Sequence, residues 1–316
     1  MDKESNSKEI RMDLSVKIGK ITLKNPVITA SGTFGYGNDI HPVEKIAELG
    51  AFCTKGLSLK PKKGNPPPRI WETPSGMLNA IGLENMGIEA FLKDVLPDLK
   101  KNGVTVFLNI FGESEEEFKE ISRTIRGLEG ITAVEVNISC PNVKKGGAIF
   151  GRDPAMAGRI TEIVASNSNF PVIVKLTPEA TNIIEVAKSC IQSGAIAVTS
   201  VNTFRGMAIN PENGRPRLST IIGGLSGPAI KPISLRIVFE LYRETGIPII
   251  ASGGIMTGND AIEYLMAGAV AVEIGTANLL DPLSAFKILD EIEEYCKTHS
   301  TKPSLITGMT HKLLKT

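Results

Sequence analysis

Four chemically useful side chains crowd one short stretch. In VEVNISCPNV, residues 134–143, Val134, Val136 and Ile138 alternate with Glu135, Asn137 and Ser139, and the pattern stops at Cys140 and Pro141. Alternation of this kind is a strand, and a proline behind it breaks regular pairing and sets a loop. Cys140 therefore stands just past a strand end, flanked by Asn137 and Asn142. A thiolate held over a substrate can take a proton from carbon if it is accessible. The three histidines, His41, His299 and His311, all lie away from the strand tips, so a Cys–His nucleophile pair is a weak reading. Free cysteine is also a common core residue. That reading is given to Cys53 and Cys190, which fall on apolar strand and helix patterns, and Cys296 is assigned no role.

Lys55 and Lys175 each end an apolar strand pattern, AFCTK and VIVK. One such lysine ordinarily snorkels to a rim; two that face a ring of asparagines imply a bound anion. Asparagine amides offer paired donors and acceptors suited to a planar heterocycle with amide edges. The glycine clusters ASGGI and EIGTA each run from a strand into a helix, and GGLSGPAI precedes another helix. Backbone N–H groups at such turns bind phosphate. A single cluster is equally well a tight turn, whereas three on adjoining loops favour a cofactor. A flavin combines a phosphate with a ring whose reduced form is anionic, and a nearby lysine would stabilise that charge. A flavin-free aldolase using Lys175 as a Schiff base is the competing use of that amine.

These residues need a scaffold that brings many strand tips to one rim. Apolar strand patterns begin at VITASG, AFCTKG, VTVFLNIFG, AVEVNISCPN, PVIVKLTPE, AIAVTSVNT, PIIASGG and AVAVEIGTAN, and a helical pattern follows each. The helices are expected over 39–50, 88–103, 114–130, 153–168, 182–194, 231–246, 258–268 and 281–296. Continuously apolar strands separated by helices predict a parallel sheet covered on both faces. Eight units predict a closed (β/α)8 TIM barrel, with an open doubly wound sheet as the runner-up. LSVKIGKITLKNPV predicts a β-hairpin ahead of it. Long insertions follow strands two, four and six; those over 57–87 and 204–230 exceed what a barrel needs and fall at one end, as lids or small subdomains. No linker separates halves, so residues 1–316 are expected to form a single domain.

Composition narrows the function classes. The 316 residues are 42% hydrophobic and 22% charged with a formal net charge of +1, an ordinary globular profile without a basic field for nucleic acid. The four cysteines have no CxxC spacing, which gives no zinc or iron–sulfur motif in this chain and fits a reducing compartment. A charged N-terminus and the lack of a long apolar run predict a cytoplasmic protein with no membrane span. The partner is expected to be a small molecule.

ASGTFGYG, TKGLSLKPKKGNPPPRIWETPSGMLNAIGLEN, VFLNIFG, EVNISCPN, VKLTP, SVNTFRGM, GGLSGPAIKP, ASGGI and EIGTA together resemble dihydroorotate dehydrogenase of class 1, over roughly residues 13–290 and in that family's order. The wording WETPSGMLNAIGLEN is most similar to subclass 1B, the catalytic subunit. The resemblance implies FMN at the top of the barrel, dihydroorotate stacked on it, and oxidation to orotate in pyrimidine (UMP) biosynthesis. It implies Cys140 as the base at C5 of the substrate while hydride leaves C6 for the flavin, with Lys55 touching flavin and substrate. It places FMN against Ala30, Ser31, Lys55, Asn109, Asn137, Lys175, Ser226, Gly227, Gly253, Gly254, Gly275 and Thr276. Substrate contacts carry over to Lys55, Asn79, Ile81, Gly82, Leu83, Asn137, Asn142, Asn202 and Thr203. A metal site is not implied. Subclass 1B passes electrons to NAD through an iron–sulfur flavoprotein partner carrying FAD and a [2Fe–2S] cluster, as a homodimer core within a heterotetramer.

Three alternatives stay open at this level. A stand-alone fumarate-linked enzyme would share the site. A flavin-dependent dihydropyrimidine (uracil-type) dehydrogenase would too, although that family has a histidine after CP where this chain has Asn142. A flavin-binding protein without turnover is disfavoured by Cys140 and Lys55.

Overall fold

The computed structural model describes residues 12–37, 42–139, 141–142 and 148–314. All the expected parallel strands are present: Val27–Thr29, Ala51–Cys53, Val106–Ile110, Ala133–Asn137, Val172–Lys175, Ala195–Ser200, Ile249–Ser252 and Ala271–Ile274. They neighbour one another in chain order, and the last returns to the first, with Val272 beside Val27 and Ile274 beside Thr29. The sheet is thus a closed (β/α)8 barrel, and the open doubly wound alternative falls.

The strands are apolar on both faces because both are covered. In the third strand Val106, Leu108 and Ile110 join the core between barrel and helices, while Phe107 joins a second cluster inside the barrel. That inner cluster includes Ile28, Ile173 and Ile250, together with Val16, Ile18, Ile21 and Leu23 from the N-terminal hairpin. The hairpin strands Val16–Ile18 and Ile21–Leu23 alternate buried and exposed residues and close one end of the lumen. Each fully buried Ile or Phe contributes about 1.5–3 kcal/mol of transfer free energy.

The helices follow their apolar spacing. Glu115–Ile125 buries Phe118, Ile121, Ser122 and Ile125, one face at helical spacing, and Ser114 caps it by accepting from the Glu117 N–H. Gly258–Met266 starts with a capping box between Thr257 and Asp260. Two helices differ from expectation. The pattern over 39–50 yields only Val43–Ile46 among the described residues, directly behind Pro42. The single helix expected over 88–103 is two, Ile88–Asp94 and Leu96–Lys101. Pro97 lacks an N–H and its ring crowds the carbonyl four residues back, which breaks the helix at Val95.

The insertions after strands two and six do not remain separate lids. They form one antiparallel sheet in the order Phe204–Met207, Ile222–Ser226, Gly76–Asn79, Ile70–Thr73. Gly224 pairs with Asn79 and Ser226 with Met77, so strands from two distant loops make a continuous cap. In the insertion after strand four, Pro141–Asn142 pairs with Ala148–Ile149. Beyond the last expected helix, seen as Ser284–Thr298, two short helices were not anticipated, Pro303–Ile306 and Met309–Leu313. Among the described residues no helix is long and apolar enough to cross a membrane.

Candidate active site

A cavity of about 440 Å3 opens where the strand ends meet the cap. The polar tips read from the sequence line it: Ala30 and Ser31 after the first strand, Lys55 after the second, Asn109 in the third, Asn137 in the fourth, Lys175 in the fifth, and Asn202 and Thr203 after the sixth. The cap contributes Asn79, Ile81, Gly82 and Leu83, and the last turns contribute Ser226, Gly227, Gly253, Gly254, Gly275 and Thr276. Cys140 and the side chain of Asn142 lie outside the described residues.

The amides are held in place by their neighbours. Asn202 Nδ2 donates to Ser139 Oγ at 3.0 Å and lies 3.5 Å from Asn137 Oδ1, which also accepts from the Ser139 N–H at 3.1 Å. Asn79 Nδ2 donates across the cap to the Gly224 carbonyl at 3.3 Å. Asn109 donates its Nδ2 to Glu135 at 2.6 Å, yet its buried Oδ1 has no partner among the described residues. An orphaned acceptor on a cavity wall is a place for a ligand donor. Lys55 is half-buried, with Nζ 5.8 Å from the centre of the Tyr36 ring.

The turn after strand seven and the loop that leaves the cap at Ser226 leave room for backbone only. Gly254 has φ 71°, and a Cβ there would stand 2.8 Å from the Lys231 nitrogen and 2.9 Å from the Gly227 carbonyl oxygen. Gly227, at φ 93°, would put a Cβ 2.7 Å from the Gly76 Cα. Nearby, the Thr276 hydroxyl donates to Ser226 Oγ at 2.8 Å and ties the cap to strand eight. Leu83 is a leucine in the left-handed region, φ 58°, a conformation that costs about 1–2 kcal/mol and collects at functional sites.

Lys175 corrects one expectation. It lines the cavity but is not a cation in want of an anion: it is 6% exposed and its Nζ donates to Glu273 Oε2 at 2.7 Å, with Glu135 Oε1 at 3.9 Å. Both glutamates are fully buried inside the barrel. Burial would lower the Lys175 pKa, but the charges of Glu273 and Glu135 outweigh it and raise the value. Glu135 accepts from Asn109, from the Cys53 thiol at 3.2 Å and from Thr199 Oγ1 at 2.7 Å. Burial acts to raise Glu135, but the Lys175 charge, the neighbouring Glu273 carboxyl and the bonds from Thr199 and Asn109 hold it below the ordinary carboxylate range. Glu273 is pushed well above that range by burial and then by the Glu135 charge. Cys53, left to the core by its sequence context, is buried but joins this cluster, and burial with the two carboxyls raises its thiol well above the usual value. A glutamate inside an apolar strand, as in AVEVN and AVEI, was the available signal for both acids.

A wider cleft of about 680 Å3 adjoins the cavity and shares Asn79, Ser139, Asn202 and Thr203 with it. Glu179 there lies 2.8 Å from Arg152 and 3.4 Å from Arg205, so the arginine charges are partly offset. The whole arrangement offers amide edges, one half-buried ammonium, a backbone anion cradle and an apolar wall including Met77 and Ile255. It suits a phosphorylated planar heterocycle with a second, small heterocycle beside it.

Residues 13–296 match the family model described as dihydroorotate dehydrogenase. A protein of Geobacter sp. (strain M21), named dihydroorotate dehydrogenase B (NAD(+)), catalytic subunit, is 50% identical over 290 residues, 92% of this chain and 95% of its own. A Geobacter sulfurreducens protein of the same name is 52% identical over 283 residues, 90% of this chain and 93% of its own. An Aquifex aeolicus protein with the provisional name dihydroorotate dehydrogenase A (fumarate) is 47% identical over 305 residues, 96% of this chain and 100% of its own.

Proposed function

The chain belongs to the dihydroorotate dehydrogenase family, and we propose that it oxidises dihydroorotate to orotate, in the cytoplasm, on FMN held at the mouth of the barrel. The observation that carries this reading is the convergence of asparagine amides, Lys55 and the glycine turns on one cavity of about 440 Å3. These residues fit FMN. The orphaned Asn109 Oδ1 can accept from a ring N–H, and the turns at Gly227 and Gly254 exclude side chains where a phosphate would need backbone donors. Bound here, FMN would supply the acceptor for the hydride from C6 of the substrate and a route for its electrons to the next carrier.

The other tasks fall to the protein. Asn79, Asn137, Asn142, Asn202 and Thr203 hold the amide and carboxylate edges of the substrate, and Lys55 offsets negative charge at the junction of ring and substrate. Ile81, Gly82 and Leu83 contact the substrate from the cap. Cys140 takes the proton from C5. The assignment is supported by its family position and by the chain around it: Ser139 lines the cavity, and Pro141 and Asn142 fold back on Ile149 and Ala148.

Electrons leave to NAD through a partner subunit carrying FAD and a [2Fe–2S] cluster, with this chain as the homodimer core of a heterotetramer. The names of the Geobacter relatives support that route. Direct use of fumarate is a second reading, favoured by the Aquifex aeolicus relative, whose match extends over 96% of this chain.

The test is anaerobic stopped-flow mixing of the purified protein with dihydroorotate, following flavin absorbance, for wild type and Cys140→Ser. Rapid bleaching in wild type and marked slowing in the variant are expected. A bound flavin that dihydroorotate does not bleach refutes the substrate, and no flavin before or after reconstitution refutes the redox reading. Reoxidation by fumarate without any partner would replace the NAD route.

A further inference from the structure

Behind the cavity wall, four barrel strands bring Cys53, Glu135, Lys175 and Glu273 together, and the reacting atoms of Cys53, Glu135 and Glu273 all lie within 4.8 Å of one another. One ammonium faces two carboxyls. Their surroundings are unequal. Glu135 accepts from Asn109, Cys53 and Thr199, which leaves it well provided as an anion. Glu273 receives only Lys175, on Oε2, and its buried Oε1 has no partner among the described residues. A second buried carboxylate would leave one negative charge uncompensated, and such a charge is relieved by taking up a proton.

We propose that Glu135 and Glu273 hold a single proton between them, carried by Glu273, so that Glu273 is a positioning residue that anchors Lys175 without adding negative charge beneath the bound ring. The Cys53 thiol, which burial and the two carboxyls push well above its usual value, donates to Glu135, and Asn109 and Thr199 complete the cluster as neutral donors. The directions of the two acids agree: burial and then the Glu135 charge raise Glu273, while the Lys175 charge holds Glu135 down against burial. The consequence for the ring rests on the FMN reading. A ring that becomes negative on reduction then faces a fixed ammonium whose charge is offset once, not twice.

Infrared spectroscopy of the purified holoenzyme tests this directly. A buried protonated-carboxyl stretch, shifted by deuterium, should persist from about pH 6 to pH 9, well above the ordinary carboxyl range. Glu273→Gln should abolish it. Glu135→Gln should abolish it too, because Glu273 then loses the neighbour that keeps it protonated and ionises against Lys175. Absence of the band in wild type, or its survival in either variant, overturns the proposal. The flavin midpoint potential gives an independent readout. Gln replaces a neutral group, so Glu273→Gln should leave the potential and its pH slope unchanged, whereas removal of a charged Glu273 would raise the potential and refute the assignment. If the chain binds no flavin, its visible spectrum shows that separately, and the infrared result still decides the proton.

Discussion

Replacing Lys175 by methionine keeps an unbranched stem and removes the charge from the middle of the barrel. Its Nζ lies 3.9 Å from Glu135 Oε1; at an effective dielectric constant of about 20, opposite unit charges at that distance attract by about 4 kcal/mol. Breaking one side of a buried pair costs about 3–5 kcal/mol, because the other charge stays buried and unpaired. Lys175→Met should therefore lose about that much stability near neutral pH, measured as the shift in urea midpoint multiplied by the slope. The sign of the pH dependence follows from Glu135. In wild type its folded pKa is below the ordinary value, so its contribution is present above that value and is lost as pH falls through the folded one. In the variant the Lys175 charge is gone and only the neighbouring Glu273 carboxyl and the bonds from Thr199 and Asn109 oppose burial, the largest single influence on this carboxyl; the value rises above ordinary and the folded state gains a proton instead. The gap between wild type and variant should narrow as pH falls towards about 4.3, the ordinary glutamate value. A loss below about 1 kcal/mol, or one equal at both ends of the pH range, would show that volume and not charge holds this layer together.

Gly254→Ala forces a side chain at φ 71° to within 2.8 Å of the Lys231 nitrogen; strain and overpacking of about 2–4 kcal/mol are expected, with at least about tenfold weaker FMN retention in a fluorescence titration. Phe118→Ala empties a fully buried site packed edge-on against Phe150 at 5.7 Å and should cost about 3–5 kcal/mol by denaturant unfolding with flavin content unchanged. Thr257→Ala removes the capping box ahead of Gly258–Met266 and should cost about 1 kcal/mol by the same assay.

The barrel was legible because each strand announces itself twice, by an apolar run buried on both faces and by polar residues at its tip. AFCTK and VIVK placed Lys55 and Lys175 at the right rim from sequence alone. What Lys175 binds was not legible. Its partner Glu273 is 98 residues away, and only closure of the sheet brings them to 2.7 Å. The cap sheet escaped for a similar reason. IWET, GMLN, FRGM and IGGLS are too short to show a period, the last three also interrupted by glycine, and the pairing spans 145 residues between Asn79 and Gly224. The break at Val95 could have been read from Pro97, whose local chemistry needed no tertiary context.

The shared cap sheet also bears on how this protein can change over generations. Barrels ordinarily diversify by varying each loop on its own, since every loop is anchored to its own pair of elements. Here Gly224, Leu225 and Ser226 take their register from Asn79, Leu78 and Met77. A one-residue insertion in either segment would slip that register and turn every paired side chain to the opposite face. The two loops must therefore vary together, and an alteration of substrate range begun in one is confined to point replacements unless a matching length change arises in the other.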